Sequence, residues 1–168
     1  NLLFSILVYL PIESFDKVKS FDEFWNYSMQ YKGIKTNSSL AHIAFDLLKE
    51  INGSKRYKSI TVSNFVNYRD NNTQFGASKF KIGDKTVIAY KGTDHSSIGW
   101  YENFRLLYLF PTYTQSVACD YLKKNILKSD MNIYLCGHSK GGNLSISSAL
   151  LCDKTLLKKI VKIYNPRT

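Results

Sequence analysis

Residues 136–142 read Cys-Gly-His-Ser-Lys-Gly-Gly, and they stand where the pattern of the chain changes. The apolar run Asn132–Cys136 leads into them, and a stretch with helical spacing runs from Lys140 to Cys152. Glycine two residues before and two residues after Ser139 lets a strand and a helix pack closely on either side of a sharp turn. These residues therefore predict a strand, a tight turn with Ser139 at its apex, and a helix.

The segments around this unit alternate between strand and helix patterns. Thr86–Tyr90 is a continuous apolar run, as expected for a strand that is covered on both faces. Lys158–Tyr164 is a further strand-like run, and helix-like stretches at about 113–128 and 140–152 separate the three strands. This alternation is typical of a parallel sheet with crossover helices, so we predict an α/β fold.

The residues upstream predict an antiparallel hairpin that leads into the parallel sheet. Ile60–Tyr68 and Phe75–Ile82 are strand-like, with a turn signal between them. Gly83-Asp84 then predicts a two-residue turn into the strand Lys85–Tyr90.

Residues 1–59 predict a helical lead-in to this sheet. Asn1–Leu10 has the composition of a buried helix, and Phe21–Tyr31 predicts a second helix. The third is the clearest, because one helical face is apolar and consists of Leu40, Ile43, Ala44, Leu47, Leu48 and Ile51. Asn37, Ser38 or Ser39 can cap its start and Gly53 can end it. We treat residues 1–168 as one domain, with its sheet core in residues 60–168.

Composition limits the class of protein. The chain has 168 residues, of which 44% are hydrophobic and 21% charged, as in an ordinary globular domain. Its net charge is +10, and the basic excess lies mostly in the C-terminal half. Such an excess could favour an anionic membrane surface. We favour lysines on solvated helix faces, and we do not expect nucleic acid as a partner because no nucleic-acid-binding motif accompanies them.

The cysteines indicate a reducing compartment. Cys119, Cys136 and Cys152 have no metal-ligand spacing and form no even set for a disulfide framework. The apolar start of the chain is too short to span a bilayer and lacks the basic region of a signal peptide. We therefore expect a cytoplasmic protein with no metal and no cofactor.

The predicted turn gives Ser139 the setting of a nucleophile. A serine hydroxyl attacks a carbonyl only when a base removes its proton and the backbone holds it within reach. A strand-to-helix turn lifts the side chain above the sheet and directs a helix N-terminus at the developing oxyanion. A phosphate-binding glycine loop is the alternative, but its Gly-Lys-Ser/Thr ending is absent.

Two motifs resemble one known family. Gly137-His138-Ser139-Lys140-Gly141-Gly142 resembles the Gly-His-Ser-Leu-Gly-Gly elbow of the class 3 (fungal-type) lipases, a branch of the α/β-hydrolases. It resembles still more closely a bacterial lipase-like group with lysine after the serine. Tyr90-Lys91-Gly92-Thr93 is similar to the Phe-Arg-Gly-Thr/Ser segment of the same lipases. The resemblance implies an α/β-hydrolase domain that cleaves a carboxylic ester through an acyl-enzyme on Ser139, with backbone N–H groups of Thr93 and Lys140 as the oxyanion hole.

A looser similarity concerns the lid of those lipases. Residues 97–104 stand where the family has its lid helix, so Trp100 and Phe104 are candidates for substrate binding, together with His95 in the preceding loop. The aromatic residues also fit the core face of a helix, with Leu107, Tyr108 and Phe110, and we favour that interpretation.

The sequence departs from the family after the elbow. The family places an acid and then a histidine after the nucleophile, but residues 140–168 contain no histidine, and Asp153 is their one acid. We favour an incomplete hydrolase domain, which predicts exposed apolar edges and association with its missing part or with itself. The alternative is an inactive lipase-like module that binds anionic lipid or nucleic acid through its basic C-terminal half.

Overall fold

A single mixed sheet forms the centre of the structure, a computed structural model that describes residues 2–36, 38–70, 73–93, 104–106 and 108–166. Within these residues the sheet has six strands, whose spatial order is the order along the chain. They are β1 (Lys19–Ser20), β2 (Thr61–Arg69), β3 (Gln74–Ile82), β4 (Lys85–Tyr90), β5 (Asn132–Gly137) and β6 (Ile160–Tyr164). β1 to β4 pair antiparallel, and β4, β5 and β6 pair parallel. The predicted α/β class and the hairpin that leads into a parallel sheet are confirmed.

Helices cover both faces of this sheet. In the described residues they are α1 (Leu2–Leu7), α2 (Phe21–Met29), α3 (Ser39–Asn52), α4 (Tyr113–Asn125), α5 (Lys140–Leu151) and α6 (Lys154–Leu157). The first three pack on one face, in a core that contains Val87 and Ala89 of β4. α4 and α5 pack on the other face, over Ile88 and Tyr90. Successive side chains of a strand point to opposite faces, so the uninterrupted apolar run of β4 reflects a strand buried on both sides.

The predicted third helix is present, with one wrong position. α3 follows Ser38 as N-cap and ends before Gly53, and Ala44, Leu48 and Ile51 are buried as the periodicity predicts. Ile43, however, is 47% exposed. Although it stands three residues after Leu40, it falls at the border of the apolar face, beside the exposed His42.

A bulge in β2 keeps its apolar residues on one face. The register of β2 against β3 shifts between Ser63 and Val66, and Asn64 has a left-handed φ of 52°. The extra residue allows Val62 and Phe65, three positions apart, to enter the same core. Strict alternation would have sent one of them to the opposite face.

A buried ion pair lies at the edge of the sheet away from Ser139. The Nζ atom of Lys79 is 2.8 Å from Oδ2 of Asp130 and donates a hydrogen bond of 2.7 Å to the carbonyl oxygen of Asn125. Lys81 Nζ lies 2.9 Å from the other Asp130 oxygen, and the Leu127 N–H donates to the carboxylate. Burial by itself would raise the pKa of Asp130, but these hydrogen bonds outweigh it and hold the pKa below its ordinary value.

Two further expectations concern the chain as a whole. The three cysteines form no disulfide, and Cys136 is buried in the core. Among the described helices, none has both the length and the apolar character needed to cross a bilayer.

Candidate active site at the turn between β5 and α5

The turn predicted around Ser139 is present and strained. β5 ends at Gly137, α5 begins at Lys140, and Ser139 between them has φ 57° and ψ −122°. Within the described residues only Asn64 shares a positive φ among non-glycine positions. A side chain in this region clashes with its own backbone, so the conformation persists only where the surrounding structure imposes it.

Two glycines impose the turn by close backbone contact. A Cβ atom on Gly137 would overlap the carbonyl group of Gly141, so the end of β5 could not cross α5 at this distance. A Cβ atom on Gly141 would overlap the carbonyl oxygen of Tyr90, so α5 could not lie this close to β4. Both glycines have the role in close packing that their spacing around Ser139 predicts, and the contacts show which backbone groups require it.

The turn presents the side chain of Ser139 to solvent. Ser139 is exposed, while Gly137 before it and Lys140 after it are buried. Its carbonyl oxygen accepts from the N–H groups of Gly142 and Asn143, at 2.9 and 3.2 Å, whereas its hydroxyl makes no capping bond to α5. The backbone is therefore fixed by the helix, while the residue itself is accessible to solvent.

The segment after β4 runs beside this turn. Tyr90 lies opposite Gly137 in the parallel pair, so the residues that follow each strand emerge at the same edge of the sheet. A Cβ atom on Gly92 would overlap the carbonyl oxygen of His138, which places the backbone of Gly92 against the turn. Thr93, the next residue, is half-buried. The structure thus brings Thr93, Ser139 and Lys140 to one edge of the sheet.

Lys140 combines an amide at the start of α5 with a buried side chain. As the first residue of α5, it contributes one of the N–H groups that have no acceptor within their own helix. The residue is only 4% exposed, and its Nζ atom donates a hydrogen bond of 3.0 Å to the carbonyl oxygen of Gln74. The lysine that distinguishes this elbow thus crosses beneath the turn to the start of β3.

A cavity of about 340 Å³ opens on the Lys140 side of the turn. Lys140 and Leu144 of α5 form one wall of it. Thr112, Tyr113 and Thr114, at the start of α4, also line it. The remaining described residues of its lining are Asp70, Thr73, Arg105 and Leu106. Its volume is in the range of small-molecule sites.

Of the remaining predicted site residues, the structure describes Phe104. His95 and Trp100 lie outside the described residues. Phe104 is 62% exposed, and Tyr108 and Phe110 are 74% and 58% exposed. The favoured interpretation, a helix face buried in the core, is therefore wrong for these three residues.

Other titratable residues near or after the turn have structural positions. Asp153 accepts a hydrogen bond of 2.9 Å from the Leu156 N–H and caps α6. Burial raises the pKa of the Cys136 thiol to about 12, so this cysteine, three residues before Ser139, stays protonated and unreactive at neutral pH.

Tyr9 is a site residue that the sequence did not reveal. It is buried just after α1, and its hydroxyl oxygen accepts a hydrogen bond of 2.9 Å from the Gly92 N–H. The contact joins residues 83 positions apart, so no local pattern could have indicated it. Tyr9 fixes the segment that carries Thr93.

Residues 51–167 match the family model described as Mbeg1-like. The chain belongs to the Mbeg1-like family. In this Mbeg1-like chain the matched region begins at the end of α3 and contains β2 to β6, the turn at Ser139 and the cavity beside it. No curated protein and no solved structure matches the chain.

Proposed function

We propose that this Mbeg1-like chain is a serine hydrolase of lipase or esterase type, with an α/β-hydrolase fold and Ser139 as its nucleophile. One observation carries the proposal: an exposed serine held at φ 57° on the turn between a parallel strand and a helix. A structural serine at a helix start normally caps the helix with its hydroxyl, and this one does not. The strained conformation of Ser139 therefore does not serve to cap the helix. It fits the turn that holds a nucleophilic serine in α/β-hydrolases.

The geometry supports the following mechanism. The Oγ atom of Ser139 attacks the ester carbonyl, and the N–H groups of Thr93 and Lys140 donate to the oxygen that becomes negative. The partial positive charge at the start of α5 adds to this stabilisation. The departing oxygen takes up the proton that the serine hydroxyl has lost and leaves as the alcohol, and water then hydrolyses the acyl-enzyme to the carboxylic acid and restores the Ser139 hydroxyl. We assign no residue of this chain as the general base.

The proposal is tested with a fluorophosphonate probe on the full-length gene product. Wild-type protein should be labelled at Ser139, as shown by mass spectrometry of the modified peptide. Ser139→Ala should abolish labelling, while Ser59→Ala, at an exposed serine far along the chain, should not change it. Absence of labelling in folded wild-type protein would contradict the proposal.

One observation favours a second candidate, an inactive lipase-like module that binds anionic lipid or nucleic acid. Lys154 and Lys158 on and after α6 and Lys162 on β6 are exposed, and Leu157 and Val161 between them are exposed apolar residues. A protein with such a surface would be retained on anionic vesicles or DNA, and the retention would weaken as the salt concentration rises. Under this alternative Ser139→Ala would leave retention unchanged and the fluorophosphonate would not react.

A further inference from the structure

We propose that Asn143 is a substrate-binding residue, whose side-chain amide donates a hydrogen bond to an uncharged oxygen that the substrate carries next to its ester. The chain therefore prefers esters of polyols or of oxygenated acids to esters built from plain hydrocarbon chains. This inference rests on the proposed function for its catalytic consequence. The binding itself can be measured without catalysis.

Asn143 lies on the same accessible surface as Ser139. Within residues 139–143, Ser139 and Asn143 are exposed, and the three residues between them are buried. Asn143 stands one helical turn after Ser139, and its N–H donates to the Ser139 carbonyl oxygen at 3.2 Å. Side chains of a helix lean toward its N-terminus, which in α5 is the turn at Ser139. The Asn143 amide is therefore a polar group next to the place where an ester would react.

Hydrogen bonds determine which end of this amide is held against α4. The Thr112 N–H donates to Oε1 of Gln115 at 2.7 Å, and because a backbone N–H can only donate, the orientation of the Gln115 amide is unambiguous. Gln115 Nε2 donates in turn to Oδ1 of Asn143 at 2.8 Å. Ser147 Oγ lies 3.3 Å from the same Oδ1 atom. The oxygen of the Asn143 amide is thus occupied, and its Nδ2 atom is the end left for a ligand.

The Nδ2 atom of Asn143 is an unused donor in a fixed position. Within the part of the chain that the structure describes, no group accepts a hydrogen bond from it. Gln115, which holds the amide, is only 2% exposed and forms a reciprocal cap of α4 with Thr112. A buried and doubly bonded glutamine thus orients the Asn143 amide before a ligand arrives, which reduces the entropy lost on binding.

The presence of an amide, and not a carboxylate, indicates that these N–H donors matter. A carboxylate at residue 143 would accept the same hydrogen bond from Gln115 and would gain from the partial positive charge at the start of α5. The amide forgoes that gain and adds only donors. In the proposed mechanism the ester carbonyl oxygen is bound by Thr93 and Lys140, so the acceptor for Asn143 is a further oxygen of the substrate. An uncharged amide forms no ion pair, and it suits a hydroxyl or ether oxygen.

Binding is measured on the Ser139→Ala protein by calorimetry, with ester pairs in which one ether oxygen replaces one methylene group. The pair 2-methoxyethyl butyrate and butyl butyrate tests the alcohol portion, and the pair butyl 3-methoxypropanoate and butyl pentanoate tests the acyl portion. In one pair the methoxy ester should bind roughly two- to tenfold more tightly, as expected for one neutral hydrogen bond. That pair identifies the portion of the substrate that Asn143 contacts. Equal affinity within both pairs, or no binding of any ester, would overturn the inference.

Asn143→Asp distinguishes a binding role from a structural one. The carboxylate has the size of the amide and still accepts from Gln115, but it has no donor for an ether oxygen. In the Ser139→Ala background it should remove the preference for the methoxy ester without lowering the free energy of unfolding in urea. Asn26→Asp, at an exposed asparagine of α2, should leave the preference unchanged. A preference that survives in Asn143→Asp would overturn the inference.

Kinetics then connect Asn143 to the reaction. Protein with Ser139 intact should show a higher kcat/KM for the preferred methoxy ester than for its hydrocarbon counterpart, and Asn143→Asp should remove that difference. Fluorophosphonate labelling together with equal kcat/KM for the two esters would overturn the inference and keep the hydrolase. Preferential binding of the methoxy ester without labelling would instead overturn the proposed hydrolase and keep Asn143 as a binding residue.

Discussion

Single residues determine the turn at Ser139, and each acts through a specific backbone contact. Gly137 and Gly141 leave room for main-chain atoms that any side chain would displace, and Tyr9 accepts from the Gly92 N–H beside them. The contacts involve the main chain, which cannot move aside as the end of a flexible side chain can. Conservative substitutions at these positions should therefore have large effects.

Gly137→Ala should destabilise the protein and abolish labelling of Ser139. The added methyl group overlaps the Gly141 carbonyl, and overpacking of this kind costs about 1–3 kcal/mol or more. Thermal unfolding and fluorophosphonate labelling measure the two effects. Gly53→Ala is the matched control, since a Cβ atom there meets nothing within 4 Å. Equal stability of the two variants would show that the turn does not depend on close approach.

Tyr9→Phe should loosen the segment that carries Thr93. The Gly92 N–H loses its acceptor in a buried position, which costs about 1–3 kcal/mol. We expect a lower free energy of unfolding in urea and slower labelling of Ser139. Tyr57→Phe, at a half-buried tyrosine packed against the same core, is the control. Equally slow labelling in both variants would show that the Tyr9 hydroxyl has no specific role at this turn.

At the scale of elements, the sequence predicts most of the strands and helices but not the irregularities within them. Periodicity is a property of neighbouring residues, so β4, β5 and α3 could be found from their apolar patterns. The turn at Ser139 could also be predicted, because the glycines that permit it lie two residues away. No pattern of neighbouring residues predicts the bulge in β2. It depends on which face of the strand packs against the N-terminal helices, and that is set by the tertiary structure.

Asn64 is the residue that makes this bulge possible, and its substitutions test the element. Asn64→Val should destabilise the protein by about 1–2 kcal/mol, because a β-branched side chain strongly disfavours φ 52°. Asn64→Gly should be nearly neutral, since glycine adopts this conformation readily. Urea unfolding of the two variants checks the difference. If both lost the same stability, the Asn64 side chain rather than its backbone conformation would matter.

The candidate site was predictable only in part, for the same physical reason. Ser139, Lys140 and Thr93 follow strands whose order the sequence indicates, so their common edge could be expected. Tyr9 and the wall of the cavity come from distant segments that meet only when both faces of the sheet are covered. Phe104 is exposed although it is a large aromatic residue. The residue type and its helical spacing do not predict burial, because the same pattern occurs in covered and in exposed segments.

For the whole molecule, the ion pair around Asp130 links the hairpin to the parallel half of the sheet. Lys79 and Lys81 belong to β3, and Asp130 lies in the connection between α4 and β5. A carboxylate with this many donors stabilises the fold only while it is ionised. The stability of the molecule should therefore depend on pH in the acid range.

Asp130→Asn should cost about 3 kcal/mol or more at pH 7, because Lys79 is left as a buried, unpaired charge. The folded pKa of Asp130 lies below its unfolded value of about 3.9, so its stabilisation is complete above about pH 5. It is lost as the pH falls toward the folded pKa. Urea unfolding at pH 7 and pH 3 should show a smaller difference in the variant than in the wild type.

Asp120→Asn, at an exposed carboxylate of α4, is the control for this prediction. It should keep the wild-type dependence of stability on pH. An unchanged pH dependence in Asp130→Asn would mean that the ion pair contributes nothing to folding.

The agreement between strand order and chain order bears on how the protein is made. Each strand pairs with the one synthesised just before it, so a chain leaving the ribosome can add strands to a growing sheet without waiting for distant sequence. The turn at Ser139 arises only when β5 docks on β4, and Tyr9 has by then already been synthesised. The turn would thus form only after α1 to α3 and β1 to β4 have been synthesised.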